Sequence, residues 1–237
     1  METVATGDGE LEAYLPGPVL LLGAPGVGKG TQAQRIVRRF SIPQISTGDL
    51  LRDHVRRETA LGTQAKQLMD AGNLVPDDVV NGMVSERLQH PDTLRGYILD
   101  GFPRTKSQSE WLDGELLQSR ADLPLVALQI QVPQTELLQR ITGRRICQTC
   151  QHIFNIYSNP PKQEGLCDED GSSLEHRSDD TEAAFYTRMA EYDTKTSAVV
   201  RHYGAHGRFH EINGLGAIAD VESRLIGSLR KLRMGRC

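Results

Sequence analysis

A glycine-rich segment near the start of the chain has the composition of a phosphate-binding loop. Residues 23–29 read Gly-Ala-Pro-Gly-Val-Gly-Lys and follow the apolar run 18–22. Glycine lets backbone N–H groups approach phosphate oxygens, a helix N-terminus attracts anions, and Lys29 adds a positive charge. The segment therefore predicts a P-loop that binds a nucleoside triphosphate. Gly30 stands where the general pattern has Ser or Thr, so the hydroxyl of Thr31 is expected one residue deeper in the helix.

A second segment, Tyr-Ile-Leu-Asp-Gly-Phe-Pro-Arg at 97–104, places a carboxylate at the end of an apolar run. In P-loop folds such a strand end lies beside the loop, where Asp100 can orient magnesium or its waters. Arg104, four residues further on, can reach the same phosphates. Motors, GTPases and kinases share these features, so they predict phosphate chemistry without naming a reaction.

Three of the four cysteines, together with one aspartate, have the spacing of a metal site. Cys147 and Cys150 are separated by two residues, and Cys167 and Asp170 repeat that spacing after a gap of sixteen residues. Two such knuckles suit the tetrahedral geometry of zinc. Because protein groups would fill every position, the predicted site is structural.

Other interpretations of the cysteines stay open from the sequence. Cys147 and Cys150 could form a redox pair, although such a pair sits at the start of a helix after a strand. They could also form a disulfide, which a reducing compartment disfavours. His152 or His176 could replace Asp170 as the fourth ligand.

The elements that must position these groups alternate between strand and helix. Apolar runs predict strands at 18–22, 43–46, 96–100, 125–132 and 209–213. Helical periods occupy 29–40, 47–58, 62–71, 77–89, 106–119, 135–145, a long stretch from an N-cap at Asp179–Asp180 to about 203, and 218–233. Residues 146–177 have no helical period and form a predicted insertion. The alternation predicts an α/β fold with a parallel sheet covered by helices on both faces.

Five motifs, in this order and spacing, resemble those of the adenylate kinase family. They are GAPGVGKGTQ (23–32), ISTGDLLR (45–52), LDGFPRT (99–105), RITGRRI (140–146) and RSDDTEAAFYTR (177–188), within a match over roughly 18–233. The resemblance accounts for Gly30, because the family's loop reads GKGT. It implies a P-loop NTPase-type core (17–45, 76–142 and 181–237), a small helical AMP-binding insertion (46–75) and a lid (143–180). Residues 1–16 are expected to be a flexible leader.

The resemblance also assigns site residues. It implies that ATP is bound by Gly26, Val27, Gly28, Lys29, Gly30, Thr31, Arg140, Arg144, Ile153, Phe154 and Gly216. It implies that AMP is bound by Thr47, Arg52, Asn73, Leu74, Val75, Gly101, Phe102, Pro103, Arg104, Gln108, Arg177 and Arg188, with Gln108 at the adenine edge. Phosphoryl transfer would rest on Lys29, Asp100, Arg104, Arg140, Arg144, Arg177 and Arg188. The lid resembles the long bacterial type in which Cys147, Cys150, Cys167 and Asp170 hold structural zinc.

The implied activity is reversible, magnesium-dependent transfer of the terminal phosphoryl group of ATP to AMP, giving two ADP. The attacking phosphate oxygen is already ionised, so catalysis reduces to positioning and charge stabilisation, which always-charged arginines supply. A GTP:AMP phosphotransferase or another nucleoside monophosphate kinase is the alternative, and a zinc-ribbon P-loop ATPase that binds nucleic acid is a more distant one. The resemblance further implies a monomer.

Composition narrows the class of partner. A net charge of −4 and an aromatic content of 5% argue against binding nucleic acid through bulk electrostatics. No apolar run approaches the roughly 20 residues of a membrane span, and the first residues, METVATGDGELEAYLPG, do not have the pattern of a signal peptide. We therefore expect a cytoplasmic protein that binds neither nucleic acid nor membranes, with reduced cysteines and a free thiol at Cys237.

Overall fold

A computed structural model describes residues 15–118, 123–205 and 207–234. Most of the predicted leader, the last residue of the predicted helix 106–119 and the predicted free thiol of Cys237 lie outside the described residues. Among the described residues, no helix combines the length and the apolar character that crossing a bilayer would require.

The centre of the molecule is a parallel sheet. It contains β1 (Gly17–Leu22), β2 (Gln44–Ser46), β3 (Gly96–Asp100), β4 (Val126–Gln131) and β8 (Phe209–Asn213), numbered along the chain. Their spatial order is β2-β3-β1-β4-β8, and every pair is parallel. β1 is buried along its whole length, which is why it reads as a continuous apolar run and not as an alternating one. The arrangement confirms the predicted α/β fold.

Two hydrophobic cores lie on opposite faces of this sheet. Val19 and Leu21 of β1 belong to one core, and Leu20 and Leu22 belong to the other, because successive side chains of a strand point to opposite faces. The first core is closed by helices α1 (Lys29–Phe40), α6 (Gln134–Thr142), α7 (Glu182–Glu191) and α9 (Ile218–Met234). The second is closed by α2 (Thr47–Arg56), α3 (Ala60–Asp70), α4 (Asp77–Leu88), α5 (Lys106–Gln118) and α8 (Ser197–Gly204).

The predicted N-cap of the long helix is wrong. Thr181 caps α7 by accepting a hydrogen bond from the N–H of Ala184 at 3.2 Å. The carboxylates of Asp179 and Asp180 turn away from the helix and pair with arginines. A hydroxyl next to the helix satisfies the same free N–H group, so the two carboxylates are available for other contacts.

The predicted long helix is also interrupted. Residues Tyr192–Thr196 form a π-helical turn between α7 and α8, and the N–H of Ser197 donates to the carbonyl of Tyr192, five residues earlier. Such a turn inserts one extra residue into a helix. The apolar periodicity on either side does not reveal an insertion of that size.

The predicted lid contains a small antiparallel sheet, which the sequence did not predict. β5 (Arg144–Cys147) lies between β6 (Ile153–Asn155) and β7 (Leu174–Glu175). The helix predicted over 135–145 therefore ends too late. α6 ends at Thr142, and Arg144 and Arg145 belong to β5, where Arg145 pairs with Phe154. The change from helix to strand falls at Gly143. A side chain does not fit at this position, because a Cβ there would lie 2.5 Å from the ring of Tyr157.

Candidate nucleotide-binding site

The carboxyl ends of the central strands open into a cleft of about 1500 Å³. This is the edge of a parallel sheet where ligands bind in open α/β folds. The P-loop, helices α2 and α3, the predicted lid and α7 all contribute to its walls. Every residue that the sequence assigned to ATP or AMP lines this one cleft, and so does Asp100. The fold thus brings together groups that are far apart along the chain.

The P-loop depends on glycine at two positions. Gly26 and Gly28 have φ angles of 85° and 99°, in the left-handed region that side chains disfavour. A Cβ on Gly26 would also lie 2.8 Å from the carbonyl oxygen of Leu137 in α6. The loop can therefore pack against α6 and present its backbone to the cleft only with glycine at residue 26.

Lys29 lies at the bottom of the cleft and folds back over the P-loop. Its ammonium group donates to the carbonyl oxygens of Gly23 at 2.8 Å and Ala24 at 3.1 Å. Burial lowers the pKa of Lys29 to about 8, and the nearby carboxylate of Asp100 opposes that shift. Burial in turn raises the pKa of Asp100, whose carboxylate accepts a hydrogen bond from Gln44 at 2.9 Å. A half-buried cation and a half-buried carboxylate thus face one another where β1 and β3 end.

This pKa predicts a pH dependence of ATP binding. We expect the KM for ATP to rise as the pH increases through about 8, because Lys29 then loses the charge that attracts phosphate. The pKa is lowered from 10.5, so between these two pH values the unfolded chain binds more protons. The same deprotonation therefore makes the stability contribution of Lys29 rise with pH. Burial lowers the pKa of Arg177 only to about 10, so the KM for AMP, measured up to about pH 9, is the control. A KM for ATP that stays flat up to about pH 9 would contradict the assignment.

Two buried aspartates organise the arginines of the lid side. Arg144 forms a bidentate pair with Asp180, with Nε 2.7 Å from Oδ2. Arg188 forms a close pair with Asp179 and approaches Asp180 at 3.7 Å. The side chains of Asp179 and Asp180 are 7% and 0% exposed, and their charges offset the repulsion between the two guanidinium groups.

A third aspartate connects the predicted AMP-binding insertion to the predicted lid. Asp49 of α2 accepts hydrogen bonds from Arg52 at 2.6 Å and from Arg177 at 3.0 Å. Arg52 and Arg177 act against the effect of burial and lower the pKa of Asp49. The sequence analysis did not assign Asp49, Asp179 or Asp180 to the site, although all three lie inside motifs that carry the resemblance. The arginines of the same motifs were the available signal.

Hydrogen bonds hold the segment around Arg104, which contributes predicted AMP-binding residues, in place. Arg104 donates from Nε to the carbonyl of Gly101 at 2.7 Å, and Thr47 donates to the same carbonyl at 2.9 Å. Gln108 accepts from the N–H of Arg104 at 2.7 Å and donates to Asp77 at 2.8 Å. Gln108 is buried, and both ends of its amide are engaged within the protein. Its contact with adenine stays a prediction.

The predicted lid lies over the P-loop. Gln34 of α1 donates to the carbonyl of Gln151 at 2.5 Å. A Cβ built on Gly30 would lie 3.3 Å from Cδ1 of Ile153. Arg140, at the base of this segment, approaches Glu136 at 3.3 Å and the carbonyl of Val27 at 3.5 Å. The part of the cleft beside the P-loop is therefore enclosed between α1 and β6.

The predicted metal ligands come together in the same segment. The ligand atoms of Cys147, Cys150, Cys167 and Asp170 all lie within 4.8 Å of one another. Cys150 and Cys167 sulfurs are 3.5 Å apart, well beyond the roughly 2.0 Å of a disulfide bond. This donor set fits a tetrahedral zinc ion.

The surroundings of this cluster argue against two other interpretations of the cysteines, a redox pair and a histidine as the fourth ligand. Cys147 ends a strand and does not begin a helix, so the geometry of a redox pair is not met. The ring of His152 lies 4.6 Å from that of Phe154, and neither His152 nor His176 belongs to the ligand group found among the described residues.

Fold and site together define a P-loop NTPase-type protein whose cleft is lined with arginines. Comparison with known proteins identifies the family. A family model described as adenylate kinase matches residues 21–208. The chain belongs to the adenylate kinase family, which confirms the resemblance carried by the five motifs.

Curated relatives cover nearly the whole chain. The adenylate kinase of Syntrophobacter fumaroxidans is 46% identical over 214 residues, spanning 89% of this chain and 99% of the relative. That of Methanothrix thermoacetophila is 45% identical over 215 residues, spanning 91% and 99%. That of Streptomyces avermitilis is 42% identical over 214 residues, spanning 90% and 97%.

Proposed function

We propose that this protein transfers the terminal phosphoryl group of ATP reversibly to AMP, giving two ADP. The observation that carries the proposal is the single cleft in which the P-loop lysine meets arginines from the acceptor segment, the lid and α7. Membership of the adenylate kinase family supports it. The enzyme is a nucleoside monophosphate kinase.

The proposed roles follow from the positions of these side chains. The backbone from Gly26 to Thr31, with Lys29, would hold the donor phosphates, and Arg140 and Arg144 would hold them from the lid side. Thr47, Arg52 and Arg104 would bind AMP, and Arg177 and Arg188 would stabilise charge on the group in transfer. The remaining predicted contacts of both nucleotides would follow the same division of the cleft.

No residue is needed as a general base, because the attacking oxygen belongs to an ionised phosphate. The protein's part is to hold two anions in line and to exclude water, which could otherwise accept the phosphoryl group. Magnesium bound with ATP would neutralise charge on its phosphates. Asp100, which accepts a hydrogen bond from Gln44, would hold the ion's waters.

The domain boundaries predicted from the sequence are also part of the proposal. Residues 46–75 would be the AMP-binding insertion, 143–180 the lid, and 17–45, 76–142 and 181–237 the core. The small sheet of the lid and its contact with α1 support the second boundary. The monomeric state, the cytoplasmic location and the absence of nucleic-acid and membrane partners remain predictions.

We propose that Cys147, Cys150, Cys167 and Asp170 hold one structural zinc ion. A lid of this size buries only a small apolar cluster, made of Cys147, Phe154 and Cys167, so a metal cross-link would supply the rigidity that it lacks. We expect protein purified without added metal to contain one zinc ion per chain.

Cys167→Ser should abolish zinc binding and lower Tm, because one thiolate ligand is lost. Cys237→Ser, outside the proposed site, is the matched control and should retain full zinc. Metal analysis and calorimetry measure both effects. Correctly folded, active wild-type protein with far less than one zinc ion per chain would refute the zinc assignment.

The function is tested by incubating the protein with magnesium-ATP and, separately, AMP, GMP, CMP or UMP, and by quantifying each diphosphate. Strong ADP formation with AMP alone is the expected result. Transfer to UMP or CMP would show that the acceptor assignment is wrong, and ATP hydrolysis without any phosphorylated acceptor would refute the kinase. Replacing ATP by GTP as donor tests the GTP:AMP phosphotransferase alternative.

A further inference from the structure

The π-helical turn Tyr192–Thr196 carries side chains that point in different directions with different partners. Two hydroxyls bond back to the helix itself. Thr194 donates to the carbonyl of Ala190 at 2.7 Å, and Ser197 donates to that of Asp193 at 2.8 Å. Thr194 is exposed. These bonds occupy carbonyl groups four residues back, as hydroxyl side chains in helices commonly do.

Two polar side chains of the turn, those of Tyr192 and Thr196, reach outward to distant parts of the chain. The hydroxyl of Tyr192 accepts a hydrogen bond from Gln129 of β4 at 3.2 Å, which fixes the turn against the central sheet. Thr196 is buried, and its hydroxyl donates to the carbonyl of Arg104 at 3.0 Å. The turn thus connects the sheet with the segment that carries Arg104.

Thr196 completes a set of contacts around Arg104. The N–H of Arg104 is held by Gln108, and its guanidinium is held against the carbonyl of Gly101. The bond from Thr196 fixes the carbonyl end of the same residue. With both peptide groups restrained, the direction in which the side chain leaves the backbone is restrained as well.

The same helical segment also carries Arg188, one helical turn before Tyr192. Arg188 faces the cleft, where it pairs with Asp179. An α-helix rotates by about 100° per residue, so the extra residue of the π turn changes the direction of everything that follows. The turn allows one segment to direct Arg188 into the cleft and Thr196 onto Arg104.

We propose that Thr196 is a positioning residue for AMP binding, acting through the main chain of Arg104. This inference rests on the proposed function, in which Arg104 holds the acceptor phosphate. Thr196 touches neither nucleotide in this role. Removing its hydroxyl would loosen Arg104 and weaken the acceptor side while the donor side stays intact.

The test compares three variants of the full-length protein. Thr196→Val keeps the shape and removes the hydroxyl, and it should raise the KM for AMP by about tenfold, the value of one ordinary hydrogen bond. The KM for magnesium-ATP should stay within about twofold. Thr196→Ser restores the hydroxyl and should return the KM for AMP to near the wild-type value. Thr194→Val removes a hydroxyl from the same turn, away from Arg104, and should leave both KM values unchanged.

Two further measurements, thermal stability and direct binding of AMP, test the role of Thr196. Tm, measured for all three variants, separates loosened packing from weakened AMP binding. An unchanged KM for AMP in Thr196→Val, or an equal rise in Thr194→Val, would overturn the role of Thr196 and leave the kinase function standing. Calorimetric titration with AMP separates the two claims further. Weaker AMP binding by Thr196→Val in a protein that transfers no phosphoryl group would support the inference and refute the function.

Discussion

Replacing Lys29 with Met should lower kcat for ADP formation by about 10³-fold, the effect of removing one preorganised charge from a water-poor site. Lys29 is half-buried, and its ammonium group lies against the carbonyls of Gly23 and Ala24. Methionine keeps the length of the side chain and removes the charge. The substitution should therefore reduce the stabilisation of charge on the transferred phosphoryl group and leave the fold unchanged. Steady-state kinetics with saturating ATP and AMP measure it.

Lys106→Met is the matched control. Lys106 is 68% exposed and pairs with Glu110 within α5, so its loss should change kcat by less than about twofold. Circular dichroism and Tm establish that both variants fold. A kcat for Lys29→Met within about tenfold of wild type would mean that Lys29 is not the charge that acts on the transferred group.

Replacing Asp180 with Asn should lower the free energy of unfolding by about 3 kcal/mol, because it leaves the largely buried guanidinium group of Arg144 without its paired carboxylate. The Asp180 side chain is fully buried and pairs with Arg144 and, at longer range, with Arg188. Asparagine retains the shape but cannot neutralise either arginine. Urea unfolding measures the change, and kcat should fall together with stability since both arginines face the cleft.

An exposed pair of the same geometry provides the comparison. Arg87 forms a two-pronged pair with Asp92 at 2.8 Å and 2.6 Å, and Asp92 is 53% exposed. Asp92→Asn should cost only about 0.5 kcal/mol, because solvent screens an exposed pair. Equal losses in the two variants would show that burial does not set the importance of Asp180.

The strands of the core were predictable because burial on both faces leaves an apolar run in the sequence. β1 and β3 illustrate this. The apolar run of β1 is followed by Gly23, and that of β3 stops at the charged residue Asp100, so the end of each strand is visible in the sequence. The set of residues that line the cleft was predictable for a different reason. Parallel strands end at one edge of the sheet, so polar residues that follow them meet there.

The contacts between charged groups were not predictable in the same way. Glu191 lies three residues after Arg188, a spacing that allows a helical ion pair, yet Glu191 pairs with Lys195 and Arg188 pairs with Asp179. Spacing along a helix identifies possible neighbours, but burial decides which pair forms. The π turn and the strand β5 were hidden for a related reason, since both depend on contacts with residues distant in sequence, Thr196 with Arg104 and Arg145 with Phe154.

The close approach of Gly30 to Ile153 makes these two positions a linked pair. The tightest neighbour of a Cβ built on Gly30 is Cδ1 of Ile153 at 3.3 Å, in the segment that covers the P-loop, whereas the nearest core atom, Oδ2 of Asp100, lies at an ordinary contact distance of 3.7 Å. A larger residue at 30 would therefore press first against Ile153 and oppose closure. In other members of the family we expect any residue other than glycine at this position to be accompanied by a shorter side chain at the counterpart of 153. Evolutionary selection for more or less complete closure of the site would then be visible as a substitution at residue 30, in the loop that binds phosphate.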